Sequence, residues 1–269
     1  MSESASIKNA LSEIIRAEWS RELKPSNHFR FSSLGHCHRK QILMRAGVAP
    51  TNAADDRGIT KMWLGTQFGK VIQHKLESTG WLIPEYTERE VTYRSYVGHI
   101  DGMTDKLPGG RAILEIKTSD DDSITKYDWS PHYFWQGLGY ALASGVDRAL
   151  FFQVGRNQLL SREIVKILTP EWRETLETEI TELEKEWQAF QSSKILPYCK
   201  HKFGWEGKTC PYLLLDEKEA GQDKIVKPRS SYKVSGTKKY TAPDPPMEEN
   251  KVLAKFLDET EEKQQQKEN

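Results

Sequence analysis

The chain has 269 residues with 39 basic and 39 acidic side chains, so its formal net charge is zero. This length suits one large domain or two small ones. A content of 37% hydrophobic and 29% charged residues indicates a globular chain with a polar surface. No apolar run approaches the ~18–20 residues of a membrane helix, and the first residues lack the basic and apolar regions of a secretory signal. Its three cysteines are too few for a disulfide framework. We therefore expect a cytoplasmic protein without a membrane segment, and we exclude coiled-coil, collagen-like and wholly disordered chains.

The first part of the chain is predicted to be helical. Apolar residues recur at helical spacing over 7–19, and further helices are predicted over 32–47 and 59–78. Two more helices are predicted later in the chain, over 131–144 and 169–190. The last of these begins with a threonine cap followed by proline, which is typical of a helix start.

Between these helices the hydrophobic period changes from that of a helix to that of a strand. The predicted strands cover 88–96, 96–105, 111–118, 149–154 and 161–168. Strands interspersed with helices predict an α/β fold in which helices flank a central mixed β-sheet.

We expect one domain followed by a tail. The domain is divided into a helical part (1–80), a core with the sheet (81–168) and a C-terminal helix with a cysteine-bearing segment (169–215). Residues 216–269 are charged and poor in apolar side chains, which predicts disorder. Six basic residues and no acid lie between 224 and 240. They form either a solvated tail or a basic arm that contacts phosphates.

The most informative stretch is a predicted hairpin that carries two acids and a lysine. Residues two apart on a strand point to the same face, so Glu115 and Lys117 share a face. Pairing the strands around the turn at 108–110 places Asp101 close to Lys117 and diagonal to Glu115, unless a bulge shifts the register. Two acids in one place repel each other unless a cation lies between them. Carboxylate oxygens suit Mg²⁺ or Mn²⁺.

Such a set of side chains can hydrolyse a phosphodiester bond. A divalent ion polarises a phosphoryl oxygen and activates a water molecule. The lysine positions that water or helps to deprotonate it, and stabilises the charge that develops on the phosphate. The alternative is an ordinary surface ion pair, because a glutamate and a lysine two residues apart occur on many strands. Apolar neighbours such as Ile113 and Leu114 favour a central strand, where charges need a partner or a metal.

Four short motifs follow one another along the chain. They are Gly65-x3-Gly69-x4-His74, Gly98-x-Ile100-Asp101-Gly102, Glu115-Ile116-Lys117 and Gln136-Gly137-x2-Tyr140. In this order they resemble the motifs of the PD-(D/E)xK nuclease superfamily. Within it they resemble the RecB-like branch, which includes CRISPR-adaptation exonucleases and many phage exonucleases. The resemblance implies a restriction-endonuclease-like core.

The resemblance also implies metal ligands. Asp101 and Glu115 would bind the metal with the backbone carbonyl of Ile116, and Lys117 would act on the attacking water. His74 would be an additional ligand, the alternative being a histidine on the helix surface or in the core. Because imidazole suits Mn²⁺ better than Mg²⁺, activity with Mn²⁺ is expected.

Two residues of the last motif would position other groups. Gln136 and Tyr140 lie one helical turn apart and would face the site, where they would hold the substrate or Lys117. The alternative is ordinary helix packing.

The cysteines resemble part of a second metal site. Some nucleases of this branch carry a [4Fe–4S] cluster, with one cysteine before the histidine motif and three near the end of the domain. Cys37, Cys199 and Cys210 match this arrangement in part, because only two cysteines lie downstream. Such clusters are normally held by four thiolates, so His201 would have to be the fourth ligand. The same four side chains suit structural Zn²⁺, and the third alternative is three thiols without a metal.

The sequence therefore predicts a deoxyribonuclease that depends on Mg²⁺ or Mn²⁺, with exonucleolytic cutting of DNA ends or single strands favoured. The expected setting is recombination, repair or phage DNA processing. The short chain carries no helicase motif, which predicts either a stand-alone nuclease or a subunit that depends on another protein for unwinding. A helicase or a single-strand-annealing or recombination protein is the candidate partner. Two alternatives stay open, namely an endonuclease of the same fold and a catalytically inactive DNA-binding module. The complete set of two acids and a lysine argues against the second.

Overall fold

The computed structural model describes residues 7–19, 25–50, 54–200 and 210–212. The basic segment at 224–240 and the tail expected over 216–269 lie outside these residues. Within the part that is described, no helix combines the length and the apolar character needed to span a bilayer.

The N-terminal part contains three helices and one short strand. They are α1 (Ile7–Trp19), β1 (Phe29–Arg30), α2 (His38–Arg45) and α3 (Asp56–Ser78). The start of α3 is set by Asp55, whose side chain accepts a hydrogen bond of 2.8 Å from the backbone N–H of Gly58. An aspartate at this position satisfies one of the free N–H groups of the first turn.

Helix α2 begins later than the helix expected over 32–47. Phe31–Ser33 form a short 3₁₀ turn instead, and Gly35 has a φ angle of 79°, which interrupts a right-handed helix. A Cβ atom at Gly35 would lie 2.6 Å from the indole of Trp135. The close approach of Trp135 therefore requires glycine here, and the helix starts only after it.

A small sheet follows α3. Its strands β2 (Glu90–Tyr93) and β3 (Tyr96–His99) form an antiparallel pair, and β1 pairs with β3 in parallel. The single strand expected over 96–105 is therefore divided. The chain leaves the small sheet after His99 and enters a second sheet at Gly102.

The second, larger sheet is mixed. Its elements in chain order are β4 (Gly102–Thr104), β5 (Ala112–Ser119), α4 (Asp121–Lys126), α5 (Pro131–Ser144), β6 (Arg148–Gly155), β7 (Ser161–Ile167) and finally α6 (Pro170–Ser193). The strand order is β4-β5-β6-β7, with β5 and β6 parallel and the other two pairs antiparallel. Parallel neighbours need a crossover connection, which α4 and α5 provide. The expected α/β class, a central mixed sheet flanked by helices, is confirmed.

Different helices cover the two faces of this sheet. Ile113 of β5 packs in one core cluster with Leu138 of α5, whereas the next residue, Leu114, packs in another with Ile72 of α3. Side chains alternate along a strand. The odd-numbered side chains of β5 therefore face α5, and the even-numbered ones face α3.

Candidate active site

The hairpin of β4 and β5 brings Asp101 next to Glu115. Gly102 pairs with Leu114 and Thr104 pairs with Ala112, so the next position along the ladder places Asp101 opposite Glu115. The sequence-based expectation that Asp101 lies nearest to Lys117 on the opposite strand is wrong by two positions. The reason is the connecting loop, which is centred on Pro108 rather than on the glycine that follows it.

A backbone hydrogen bond fixes the Asp101 side chain. Its Oδ2 atom accepts from the N–H of Ile116 at 2.6 Å. Asp101 lies in the break between β3 and β4, outside any regular strand, and its carboxylate contacts the backbone of β5. The carboxylate is therefore attached to the segment that carries Glu115 and Lys117.

Glu115 and Lys117 form an ion pair beneath α5. Glu115 Oε1 lies 2.5 Å from Lys117 Nζ, and the glutamate side chain is only 2% exposed. Lys117 Nζ also donates to Gln136 Oε1 of α5 at 3.0 Å, and lies 5.0 Å from the ring centroid of Tyr133. Tyr133 lies one turn before Gln136 on the same helix face. The sequence motifs did not include Tyr133. Its spacing of three residues from Gln136 is the only sequence feature that indicates a position near the site.

Burial and repulsion raise the pKa values of both acids. Burial first, and then the charge of Glu115, raises the pKa of Asp101 to about 8. Burial also raises the pKa of Glu115, although Lys117 acts in the opposite direction. Burial lowers the pKa of Lys117, but the charges of Glu115 and Asp101 outweigh it and raise that pKa overall. The lysine thus stays protonated beside the two acids.

One oxygen of Glu115 has no partner. Oε2 is buried and accepts no hydrogen bond within the part of the chain that is described. An unsatisfied buried carboxylate oxygen is strongly unfavourable in isolation. A hard cation bound there would provide the missing interaction, and carboxylate oxygens are the ligands such an ion prefers. Asp101 and Glu115 thus fit a divalent metal ion.

The third expected side-chain ligand, His74, is not brought to this site. It is exposed on α3, the helix that covers the opposite face of β5. Its neighbour Gln73 is buried instead, and its side-chain amide donates to the backbone oxygen of Asp101. Among the described residues, no three His, Cys, Asp or Glu side chains gather closely enough to hold a metal. Gln73 was not expected, because its role depends on which face of α3 meets the sheet.

Gln136 and Tyr140 both face the ion pair. Their side chains share a hydrogen bond, and burial followed by the charge of Glu115 raises the pKa of Tyr140. A Cβ atom on Gly98 would lie 2.7 Å from the Tyr140 hydroxyl oxygen. The glycine that opens the Asp101 motif therefore leaves room for Tyr140 against β3.

The cysteines lie away from these acids. Cys37, immediately before α2, has its Sγ atom 3.5 Å from Sγ of Cys199. Cys210 is buried in a separate small cluster with Leu43 of α2. His201, expected as a fourth ligand, lies outside the described residues.

The sequence matches no protein-family model and no curated protein. Solved structures similar to it include the protein SSO0001, at 18% identity over 79% of this chain and 97% of that one, with a TM-score of 0.45. An alkaline exonuclease from Laribacter hongkongensis, LHK-Exo, matches at 17% identity over 68% of this chain and 97% of that one, with a TM-score of 0.45. A phage-related exonuclease from Haemophilus somnus 129PT matches at 14% identity over 62% of this chain and 96% of that one, with a TM-score of 0.36. Two of these three solved structures are of exonucleases.

Proposed function

We propose that this protein is a nuclease that hydrolyses phosphodiester bonds of DNA with the help of a divalent cation, Mg²⁺ or Mn²⁺. The observation that carries the proposal is the buried Oε2 atom of Glu115, which has no hydrogen-bond partner in the described chain. The other oxygen of this carboxylate pairs with Lys117. Opposite it stands a second carboxylate, Asp101. Two acids and a lysine in one place supply ligands for a cation and a donor for a phosphate.

Each residue would have its own task. The cation, when bound, would polarise a phosphoryl oxygen and lower the pKa of a water molecule. Asp101, Glu115 and the carbonyl of Ile116 would hold it. Lys117 is oriented by Glu115 and Gln136. Lys117 would position the attacking water or donate a hydrogen bond to the phosphate.

We further propose exonucleolytic cutting of DNA ends or single strands, because the ordered motifs resemble those of exonucleases of the RecB-like branch. The setting would be recombination, repair or phage DNA processing in the cytoplasm. A helicase would supply open DNA, or a single-strand-annealing protein would bind the strand that remains after digestion. We also propose that residues 1–215 act as one domain.

The cysteines are proposed to form a separate metal site. Cys37 and Cys199 have neighbouring sulfur atoms, and Cys210 with His201 would complete a set for a [4Fe–4S] cluster or for Zn²⁺. Elemental analysis and the visible spectrum of anaerobically purified protein distinguish iron, zinc and the absence of both. A protein that contains neither metal contradicts this site but leaves the nuclease proposal intact.

The central experiment incubates the full chain with Mg²⁺ or Mn²⁺ and three DNA substrates: end-labelled linear duplex, single strands and closed circles. We expect the first two to be degraded and the circle to stay closed. An opened circle would instead identify an endonuclease, and binding without cleavage would identify an inactive DNA-binding module.

The matched variants are Lys117→Ala and Lys126→Ala. We expect the first to lower the rate by about 10²–10⁴-fold, the usual loss when a positioned proton-transfer or donor group is removed. Lys126 is exposed and pairs with Asp122 on α4, so its removal should leave the rate unchanged. The proposal fails if neither metal supports cleavage of any substrate, or if Lys117→Ala cuts DNA as fast as the parent.

A further inference from the structure

A row of polar side chains leads from Lys117 across the larger sheet to its edge strand. Lys117 of β5 pairs with Gln153 of β6, and Gln153 pairs with Arg162 of β7. Residues that pair across neighbouring strands lie on the same face of a sheet, so these side chains share the face that carries Glu115. Adjacent strands are about 4.7–4.9 Å apart. The Cα atoms of Arg162 and Lys117 are therefore separated by roughly 9–10 Å.

Arg162 is held in a fixed orientation by its neighbours. Its Nε atom donates to Oε1 of Gln153 at 2.9 Å, and its Nη1 atom donates to the backbone oxygen of Tyr127 at 2.7 Å. Gln153 is buried, and its side-chain amide donates to Oγ of Ser119 at 3.1 Å. The guanidinium carbon lies 4.8 Å from the ring centroid of Trp129. Two hydrogen bonds and an aromatic ring thus orient the planar guanidinium.

No carboxylate of the described residues neutralises the charge of Arg162. Arg156, at the start of the same β6–β7 connection, differs in this respect, because its Nη2 atom donates to Asp120 at 2.6 Å. The hydrogen bonds of Arg162 go to an amide and a carbonyl oxygen instead, and Glu163 beside it points to the opposite face of the sheet. These bonds use two of the five N–H donors of a guanidinium. Arg162 therefore presents an oriented positive charge with further donors, which suits a phosphate.

An exposed aromatic residue lies beside this guanidinium. Tyr127 directly follows α4, and its backbone oxygen is the group that holds Arg162. The tyrosine itself is 68% exposed. Proteins that bind single-stranded nucleic acids combine cationic groups, which contact phosphates, with aromatic rings on which bases stack. Arg162 and Tyr127 provide one group of each kind.

We propose that Arg162 and Tyr127 form a binding site for single-stranded DNA beside the candidate active site, with Arg162 on a backbone phosphate and Tyr127 on an unpaired base. This inference rests on the proposed function, because it places the phosphate that is cut at Lys117. Successive phosphates of a B-DNA strand are 3.4 Å apart along the helix axis. The separation of Arg162 from Lys117 therefore corresponds to at most about three nucleotides. The site would hold the strand close to the bond that is cut.

The test measures binding separately from cleavage. Full-length protein in EDTA is titrated with a fluorescent single-stranded oligonucleotide at several salt concentrations, and fluorescence anisotropy gives the dissociation constant. Each phosphate contact to a single strand contributes about 0.7 to the slope of log K against log salt. We expect Arg162→Gln to weaken binding and to reduce the slope by about 0.7. The matched control Arg173→Gln changes an exposed arginine of α6 and should leave both quantities unchanged.

Substitutions of Tyr127 test the contact with the base. Tyr127→Ala should weaken binding at least about fivefold, the smaller loss usual for one stacked base, without changing the salt slope. Tyr127→Phe keeps the ring and should bind like the parent. Because loss of the Arg162 hydrogen bonds could loosen the chain, Arg162→Lys is the second variant at that position. It keeps the charge and should retain more of the slope than Arg162→Gln.

The outcomes separate this inference from the proposed function. A parent slope in Arg162→Gln, or parent affinity in Tyr127→Ala, overturns the inference. If Arg162→Gln does not melt like the parent, Arg162→Lys and the two Tyr127 variants decide. A parent that cuts DNA with metal but binds no single strand in EDTA overturns the site and leaves the proposed function standing. A parent that neither binds nor cuts DNA removes both.

Discussion

Glu115 uses only one of its two carboxylate oxygens within the described chain: Oε1 lies 2.5 Å from Lys117 Nζ, while Oε2 is buried without a partner. Burial removes water from both oxygens of Glu115, but only Oε1 gains an interaction with Lys117 that offsets this cost. A bound cation should therefore stabilise this site more than it would stabilise a site in which both carboxylate oxygens already have partners.

The first prediction concerns stabilisation by metal. At a concentration 100-fold above its dissociation constant, a bound ion adds about 2.7 kcal/mol to the free energy of unfolding. For a domain of this size that corresponds to a rise in Tm on the order of 5–10 °C. We expect this rise on adding Mn²⁺ to the parent and its loss in Glu115→Gln. The control Glu85→Gln changes an exposed glutamate in the 3₁₀ turn Pro84–Tyr86 and should keep the rise. Thermal melting with and without Mn²⁺ measures it, and an equal rise in Glu115→Gln would contradict the assignment of this ligand.

The second prediction separates two neighbours on α3. Gln73 is buried and holds the backbone oxygen of Asp101, whereas His74 is exposed. We expect Gln73→Ala to slow DNA cleavage roughly tenfold, because displacement of a positioned ligand has a large effect on rate. His74→Ala should cleave at the parent rate. Steady-state cleavage of a labelled linear duplex measures both variants, and the reverse order of effects would restore His74 as a ligand.

The third prediction compares two motif glycines. A Cβ atom at Gly98 would lie 2.7 Å from the Tyr140 hydroxyl oxygen, whereas one at Gly69 would meet nothing within 4 Å. We expect Gly98→Ala to lower the free energy of unfolding by about 1–3 kcal/mol through overpacking. Gly69→Ala lies inside α3 and should raise it by about 0.5–1 kcal/mol, since alanine favours helices. Urea unfolding measures both, and a stable Gly98→Ala would show that Tyr140 is free to move.

The fourth prediction concerns pH. His38 of α2 lies 2.9 Å from Glu179 and 2.7 Å from Glu186 of α6. Burial acts to lower the pKa of His38, but the hydrogen bonds and charges of the two glutamates outweigh it and raise the pKa above 6.5. A histidine whose pKa is raised by folding stabilises the protein fully below its unfolded pKa. That contribution is lost as the pH rises through the folded pKa.

The free energy of unfolding should therefore fall as the pH is raised from 6 through the folded pKa of His38. His38→Gln should show a smaller fall over the same range, because it keeps a polar side chain but cannot become charged. Urea titrations at intervals of pH measure the two profiles. Parallel profiles for parent and variant would show that His38 does not carry this dependence.

Elements with a long, regular period could be predicted closely. The helices expected over 7–19 and 131–144 have the same bounds as α1 and α5, and the apolar pattern also located β6 and β7 within a residue or so at each end. The strand β1 and the helix α4 were not predicted. They have two and six residues respectively, which is too short for a hydrophobic period to show.

The sequence predicted the relative positions of candidate-site residues correctly only where those residues share one strand. Glu115 and Lys117 lie two apart, so strand geometry alone puts them on one face. The residue opposite Asp101 depends on which residue lies at the centre of the loop between β4 and β5, and composition does not reveal that residue. Gln73 was missed because its role arises from a contact between α3 and the residue that precedes β4, which no local pattern encodes.

The division of the expected strand 96–105 has a mechanical consequence. Asp101 belongs to neither sheet: β3 ends at His99 and β4 begins at Gly102. The residue before Asp101, Ile100, is joined to the segment before β2 by a hydrogen bond from its N–H to the carbonyl of Arg89, whereas the Asp101 carboxylate is joined to β5 through the N–H of Ile116. The position of Asp101 relative to Glu115 therefore depends on how the two sheets are aligned. A shift of one sheet relative to the other would change the distance between the two carboxylates without any substitution in the site.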